Sequence, residues 1–286
     1  MSTYRRLVLD LYHGASDART LRVAAGLAGL MNLDLHCLFI EDEAVHALAA
    51  LPFAREIRLP THVWSPIDAD ILAAEMRDAA ARARRALDEV IAGLDVTREF
   101  QVLRGDPAAC VAGVCRGDDI LVVSEPTAPA RAAHGTRRQR DAAHGSLGSV
   151  LLLPLGVSMH KGPLVAVLAD PADGAFDVAC AIAGATGERV AVVCAGEMAS
   201  QSVAERAKAL GMGERVILRP TKGEQADDVL HALGDLRERL IVMTRGGMTA
   251  AEPASASHIS AQRGVPLLLM EQPASAAGRS KAERHR

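Results

Sequence analysis

The feature that most constrains the fold is an internal repeat, in which one order of apolar runs, turns and helical segments occurs twice. Each half opens with an apolar run, passes through a small-residue turn into an alanine-rich segment, and reaches a second apolar run. These four parts are 6–11, 13–17, 18–32 and 35–40 in the first half, and 164–168, 170–174, 175–187 and 190–194 in the second. Apolar runs that alternate with helical segments are typical of parallel strands covered on both faces.

The same order continues to the end of each half. A long amphipathic segment at 69–93 has a shorter counterpart at 202–212. A third strand, a further helix, a fourth strand and a last strand then follow, at 99–103, 107–116, 119–123 and 150–153 in the first half and at 216–218, 225–236, 240–243 and 266–270 in the second. The sequence therefore predicts an α/β fold with two tandem doubly wound, Rossmann-like domains, each with four helices and a five-stranded, mostly parallel sheet.

Glycine and proline divide the chain near 156–163, which predicts a first domain over 1–157 and a second over 162–273. We expect a disordered basic tail at 274–286. An excursion at 41–68 has no counterpart in the second half. Both last strands are short and apolar, so we expect them to lie side by side and join the halves as a pseudo-dimer, because an uncovered edge of this kind would be sticky.

Composition excludes several classes of function. The formal net charge is −3 and aromatic residues make up 2% of the chain, which argues against nucleic acid or anionic membrane as a partner. No apolar run is long enough to span a bilayer, and the amino-terminal segment does not resemble a targeting peptide. Five cysteines without a CxxC pair indicate buried thiols in a reduced, cytoplasmic protein. Histidines 134 and 144 lack the spacing of a metal site.

Three segments resemble the universal stress protein family: RGDPAACVAGVCRGDDILVVSEP at 104–126, RLIVMTRGG at 239–247 and HISAQRGVPLLLM at 258–270. The resemblance covers nearly the whole chain twice and implies a tandem member with an adenine nucleotide hydrolase-like fold. It also implies that ATP-binding members use an Asp after the first strand, a backbone contact after the second, and a G-x2-G-x9-G-[S/T] loop after the fourth. Such a loop brings N–H groups and a helix N-terminus to phosphate.

Neither half carries this pattern complete. In the second half the resemblance assigns candidate nucleotide contacts to Asp170, Ala195, Thr244, Gly246 and Gly247, while Glu252 and Pro253 take the place of the final G-[S/T] pair. Asp170 is equally suited to begin a helix, and the two glycines to make a turn.

In the first half Tyr12 stands where the Asp is expected, and the loop after the fourth strand begins SEPTAP. Gly135 and Thr136 match the final pair. Three arginines follow them at 137, 138 and 140. These arginines either bind phosphate or form a basic loop that is simply solvated.

Three functions remain in play. The first is a non-catalytic stress-response regulator that binds ATP or another adenine nucleotide in one half, with the second half preferred. The second is a member without nucleotide that acts as a protein-interaction module through 41–68 and 126–148, alone or as a homodimer. The third, an adenine-nucleotide hydrolase, is the least supported because no catalytic constellation can be assembled. We therefore expect a protein that is not an enzyme.

Overall fold

The computed structural model describes residues 4–11, 18–58, 62–124, 148–157, 159–195 and 197–271. The expectations for Tyr12, Gly135, Thr136 and the tail lie outside these ranges. The first half contains β1 (Arg6–Asp10), α1 (Ala18–Met31), β2 (Asp34–Asp42), α2 (Glu43–Ala49), β3 (Arg55–Arg58), β4 (Val63–Pro66), α3 (Ala69–Ile91), β5 (Arg98–Gly105), α4 (Pro107–Val114), β6 (Asp119–Ser124) and β7 (Ser149–Leu153).

The second half repeats this order without the excursion. It contains β8 (Leu164–Leu168), α5 (Gly174–Thr186), β9 (Val190–Ala195), α6 (Glu197–Ala209), β10 (Val216–Thr221), α7 (Ala226–Leu233), β11 (Leu240–Thr244), α8 (Pro253–Arg263) and β12 (Leu267–Met270). The helix expected at 202–212 begins earlier and ends at Ala209, because Gly211 turns the chain with a φ of +69°. The fourth helix expected in the first half would fall within 125–147, outside the described residues.

Ten strands form one continuous sheet in the order β10-β9-β8-β11-β12-β7-β6-β1-β2-β5. Counted along the chain, without the hairpin of β3 and β4, each half has the strand order 3-2-1-4-5, and its strands are all parallel to one another. The predicted α/β doubly wound fold with five strands in each half is confirmed.

The two halves meet where β7 and β12 pair antiparallel. Leu151 lies opposite Leu268, and Leu152 lies opposite Leu267. All four side chains are buried, so the seam is part of the hydrophobic core. The last strands therefore lie side by side, as their apolar sequences predicted.

Two apolar layers cover the faces of the sheet. One contains α1, α3, α5 and α6, and the other contains α4, α7 and α8. The strands contribute side chains alternately to both layers, which is why they are apolar along their whole length. None of the helices in the described part of the chain is long and apolar enough to cross a membrane.

Candidate functional site

The strand order reverses between β1 and β6 in the first half, and between β8 and β11 in the second. At such a point the helices on either side leave in opposite directions, and a crevice opens beyond the carboxyl ends of the strands. Ligands of open α/β sheets bind in this crevice, so the two switch points are the candidate sites.

In the second half, the carboxylate of Asp173 bridges the two strands at the switch point. It accepts hydrogen bonds from the Thr244 hydroxyl at 2.5 Å, from the Ala175 N–H at 2.9 Å and from the Ala169 N–H at 3.3 Å. Ala169 follows β8, Thr244 ends β11 and Ala175 lies in the first turn of α5. Asp173 is 9% exposed. The chain's own carboxylate therefore links the two strand ends at the switch point.

The loop after β11 packs onto this bridge. Gly246 turns the chain with a φ of +71°, and a Cβ at Gly247 would lie 3.1 Å from the Cβ of Ala169 and 3.5 Å from Asp173 Oδ2. The next turn places Ala250 in the core, where its N–H donates to the Glu224 carbonyl at 2.7 Å. Gly247 thus lets the loop pack closely against Ala169 and Asp173, and Gly246 adopts the positive φ that the turn requires.

Asp170 makes none of the hydrogen bonds of the Asp173 bridge. Its side chain is exposed, and its Oδ1 accepts from the Ala172 N–H at 2.7 Å, which makes an Asx turn. The Arg206 guanidinium also stabilises this turn. It donates to the main-chain oxygens of Pro171 at 2.5 Å and Asp173 at 3.3 Å, and it pairs with Asp177 at 2.6 Å. Asp170 therefore serves a turn that is already anchored.

The N-terminus of α8 would be the natural phosphate site of the second half. It begins with Pro253, which has no N–H, and Glu252 stands at its N-cap. A carboxylate here repels phosphate, and the proline removes one of the donors that an anion needs. Ala195, the remaining candidate, ends β9 and pairs in register with Thr221. The second-half residues, in this arrangement, do not fit the phosphate chain of a nucleotide.

In the first half the switch point holds a cleft. Asp10 ends β1 and Ser124 ends β6, and both line the cleft together with apolar side chains of β6 and α4. Its free volume is about 30 Å³, which is room for a water or two. Known small-molecule pockets are about ten times larger or more, and the segments 12–17 and 125–147, which follow these two strands, lie outside the described residues.

Several carboxylates lie near the first-half cleft, around the thiol of Cys110. Burial raises the pKa of the Cys110 thiol, and the carboxylates of Asp106, Asp10 and Glu43 raise it further. Three carboxylates therefore lie close enough to one thiol at this edge to disfavour its charged form. Within the described ranges, no group of three or more His, Cys, Asp and Glu side chains converges as a metal site would require.

Sequence reasoning missed two residues that the structure places at the switch points, Asp10 and Asp173. Each had a visible signal. Asp10 breaks the apolar run at 7–11, where a carboxylate is costly unless it serves a purpose. Asp173 immediately precedes α5 and accepts from the Ala175 N–H, which is the position and role of an N-cap.

A second candidate surface is the excursion at 41–68, which contains α2 and the hairpin of β3 and β4. Six of the eleven large hydrophobic side chains that are exposed in the described part of the chain lie in it: Leu48, Leu51, Phe53, Ile57, Val63 and Trp64. Single exposed hydrophobic residues are normal, but a concentration of them marks an interaction site. Phe53 is 75% exposed and Trp64 is 61% exposed.

Comparison of the sequence with protein-family models gives no match, and comparison with curated proteins gives none either. The structure is similar to that of a universal stress protein from Archaeoglobus fulgidus, with a TM-score of 0.65 and 15% identity over 96% of this chain and 99% of that one. Two Pseudomonas aeruginosa proteins are similar at 15% identity: a candidate universal stress protein with a TM-score of 0.56 over 94% of each chain, and a protein of unknown function with a TM-score of 0.58 over 100% of this chain and 99% of that one. The sequence resemblance is thus confirmed at the level of the fold.

Proposed function

We propose that this chain, which has the universal stress protein fold along nearly its whole length, is a cytoplasmic, non-catalytic regulator that acts through protein contacts and holds no nucleotide in its second half. The observation that carries the proposal is the Asp173 bridge. A carboxylate that already accepts from Thr244, Ala175 and Ala169 occupies the crevice where this fold would receive a ligand.

Two further observations support this reading. The polar groups at the second switch point are engaged in structural hydrogen bonds rather than directed at open space, which suits a closed site more than a catalytic one. The excursion, meanwhile, exposes Trp64 and Phe53, and aromatic side chains dominate the binding energy of protein interfaces. The excursion is therefore the surface through which we propose that the protein acts.

The test is the nucleotide content of the freshly purified protein. Denaturation followed by chromatography and mass spectrometry should release no stoichiometric adenine nucleotide. Millimolar ATP should leave the unfolding transition unchanged, whereas a ligand at 100 times its Kd would stabilise the fold by about 2.7 kcal/mol. Release of an equimolar adenine nucleotide that is lost in Asp170→Ala would contradict the proposal, because it would place the ligand in the second half.

A second candidate is an adenine nucleotide in the first half, which the cleft at Asp10 and Ser124 favours. There the Asp10 carboxylate would accept hydrogen bonds from ribose hydroxyls, as suits a carboxylate at the carboxyl edge of the sheet. In the nucleotide-content experiment, a bound nucleotide that survives Asp170→Ala and disappears in Asp10→Asn would establish this candidate.

A further inference from the structure

We propose that a second copy of this chain pairs antiparallel with the outer edge of β5, so that the main sheets of the two copies become continuous across a twofold axis at Val102. The inference goes beyond the proposed function, because it concerns the edge of the main sheet and not the excursion. The pairing is also distinct from the β7–β12 seam, which joins the halves within one chain.

The ten-stranded sheet ends in β5 on one side and in β10 on the other. Edge strands present unpaired N–H and C=O groups, which attract further strands unless proline or charge blunts the edge. β10 contains Pro220, which has no N–H to offer. β5 has eight residues and no proline, and within the described part of the chain it pairs with β2 alone. Of the two edges, β5 is therefore the one that can accept a strand.

The main-chain groups of alternate residues in β5 face away from β2. The Thr97 carbonyl accepts from the Leu35 N–H at 2.8 Å, and Leu35 lies opposite Arg98 in the parallel register. The odd-numbered residues of β5 therefore direct their N–H and C=O groups toward β2. The residues that direct theirs outward are Arg98, Phe100, Val102 and Arg104. Val102 is 48% exposed and Arg104 is exposed, so solvent reaches the middle of this edge.

The outward residues and their side chains select the register. An axis at Val102 places Val102 opposite its own copy, where each N–H donates to the other's carbonyl, and it places Phe100 opposite Arg104 of the second copy. An axis at Gln101 would instead place Arg98 opposite Arg104 twice, and like charges across strands destabilise a sheet. The Asp88 carboxylate, which already accepts from Arg98 at 2.8 Å, would then have to serve two arginines.

The side chains of Phe100, Val102 and Arg104 lie on one face of β5, as alternate residues of a strand do. Phe100 packs against the buried layer that contains α3, whereas Val102 has much of its surface in solvent. The axis at Val102 covers this valine with its own copy and brings the Arg104 guanidinium to the Phe100 ring, which attracts a cation. An edge this short buries less than a standard interface, so we expect a dimer that dissociates with dilution.

The experiment is sedimentation velocity on the full-length chain in reducing buffer over about 1 to 300 µM, a range that brackets the dissociation of small interfaces. The wild-type protein should form a dimer whose fraction rises with concentration. Val102→Lys places two ammonium groups opposite each other and Val102→Glu places two carboxylates, so each should raise the dissociation constant about fivefold or more. An equimolar mixture of the two variants places lysine opposite glutamate, and should dimerise within about threefold of the wild type.

Val102→Pro removes an N–H that faces away from β2, so it should abolish the dimer while the pairing of β2 with β5 remains. A control is Leu210→Lys, which introduces the same charge at an exposed apolar residue after α6 and should leave the dimer unchanged. Far-UV circular dichroism and urea unfolding of each variant verify that the fold is retained.

A wild-type protein that stays monomeric throughout the range would overturn the inference. So would a dimer that neither charged variant weakens, one that Val102→Pro leaves intact, or one that the mixture of charged variants does not restore. The last of these outcomes would exclude an axis at Val102 in particular. None of them depends on nucleotide content, which tests the proposed function separately.

Discussion

The Asp173 bridge can be tested by removing the carboxylate with Asp173→Ala. The change deletes the N-cap of α5, which costs about 1 kcal/mol on its own. It also leaves the Thr244 hydroxyl, a group on a residue that is 5% exposed, without its acceptor, and an unsatisfied buried donor costs about 1–3 kcal/mol. Together these effects should lower the free energy of unfolding by about 2–4 kcal/mol.

The assay is urea unfolding at equilibrium, followed by circular dichroism at pH 7. The midpoint should fall while the slope stays constant, because the change affects stability and not the surface exposed on unfolding. Two variants are matched controls. Thr244→Val removes one donor and leaves the carboxylate with two N–H partners, so it should cost about 1 kcal/mol. Asp170→Ala removes an exposed residue with one turn hydrogen bond, so about 0.5 kcal/mol is expected.

The order of these three costs decides the argument. If Asp170→Ala destabilises the protein as much as Asp173→Ala does, the Asp173 carboxylate has no special role at the switch point, and the inference that it closes the crevice is wrong. An Asp173→Ala variant that loses less than Thr244→Val would refute the bridge equally, because the acceptor shared by three donors must be worth more than any one of them.

Four other predictions concern the seam, the join, a buried histidine and the thiols. Leu268→Ala should cost about 2–5 kcal/mol in urea unfolding, because its side chain is fully buried between the halves. Gly162→Ala should destabilise by about 1–3 kcal/mol, because its Cβ would lie 2.0 Å from a main-chain oxygen, whereas Gly184→Ala in an open part of α5 should stabilise by about 0.5 kcal/mol. Burial lowers the pKa of His36 despite the opposing charge of Glu99, so the folded state favours neutral imidazole. Its stabilisation is present above about pH 6.5 and is lost as the pH falls through the lowered value, and His36→Gln should flatten this dependence in pH-dependent unfolding. Burial raises the pKa of Cys37 to about 12, so at pH 8 its alkylation, measured by mass spectrometry, should require unfolding.

The fold could be predicted from the sequence because its signal is local and is repeated. Apolar runs such as Leu164–Leu168 are buried on both faces of the sheet, and strands of a parallel sheet covered on both faces are apolar along their whole length. The pairing of β7 with β12 followed from their apolar, terminal character. The hairpin did not follow, because REIR and VWSP are short and mixed in polarity, and their pairing depends on a turn that no sequence period reveals.

The sequence indicated which residues follow the strands at the second switch point, but not which hydrogen bonds they make. The resemblance assigned nucleotide contacts to Asp170 and Gly247, which follow β8 and β11, and their role as contacts stays a prediction. The sequence could not show that Asp173 turns inward while Asp170 turns outward, because both belong to one turn and either could cap α5. That choice is made by the Thr244 hydroxyl, which lies 71 residues away in sequence and is brought near only by the pairing of β8 with β11.

Several main-chain hydrogen bonds hold the loop after β11 in place in the second half. The Arg245 N–H donates to the Met270 carbonyl at 2.8 Å, and the Gly247 N–H donates to Thr244 at 3.1 Å. Together with the hydrogen bond from the Ala250 N–H to the Glu224 carbonyl, these bonds join the loop to β12, to β11 and to the turn before α7. A ligand that opened this loop would have to break these bonds together with the Asp173 bridge, at a cost that binding would have to exceed. The second half also covers the edge of β7 with β12, which a single half would leave exposed. If the proposed function holds, responses to a ligand or partner should therefore arise in the first half, at the Asp10 cleft or the excursion.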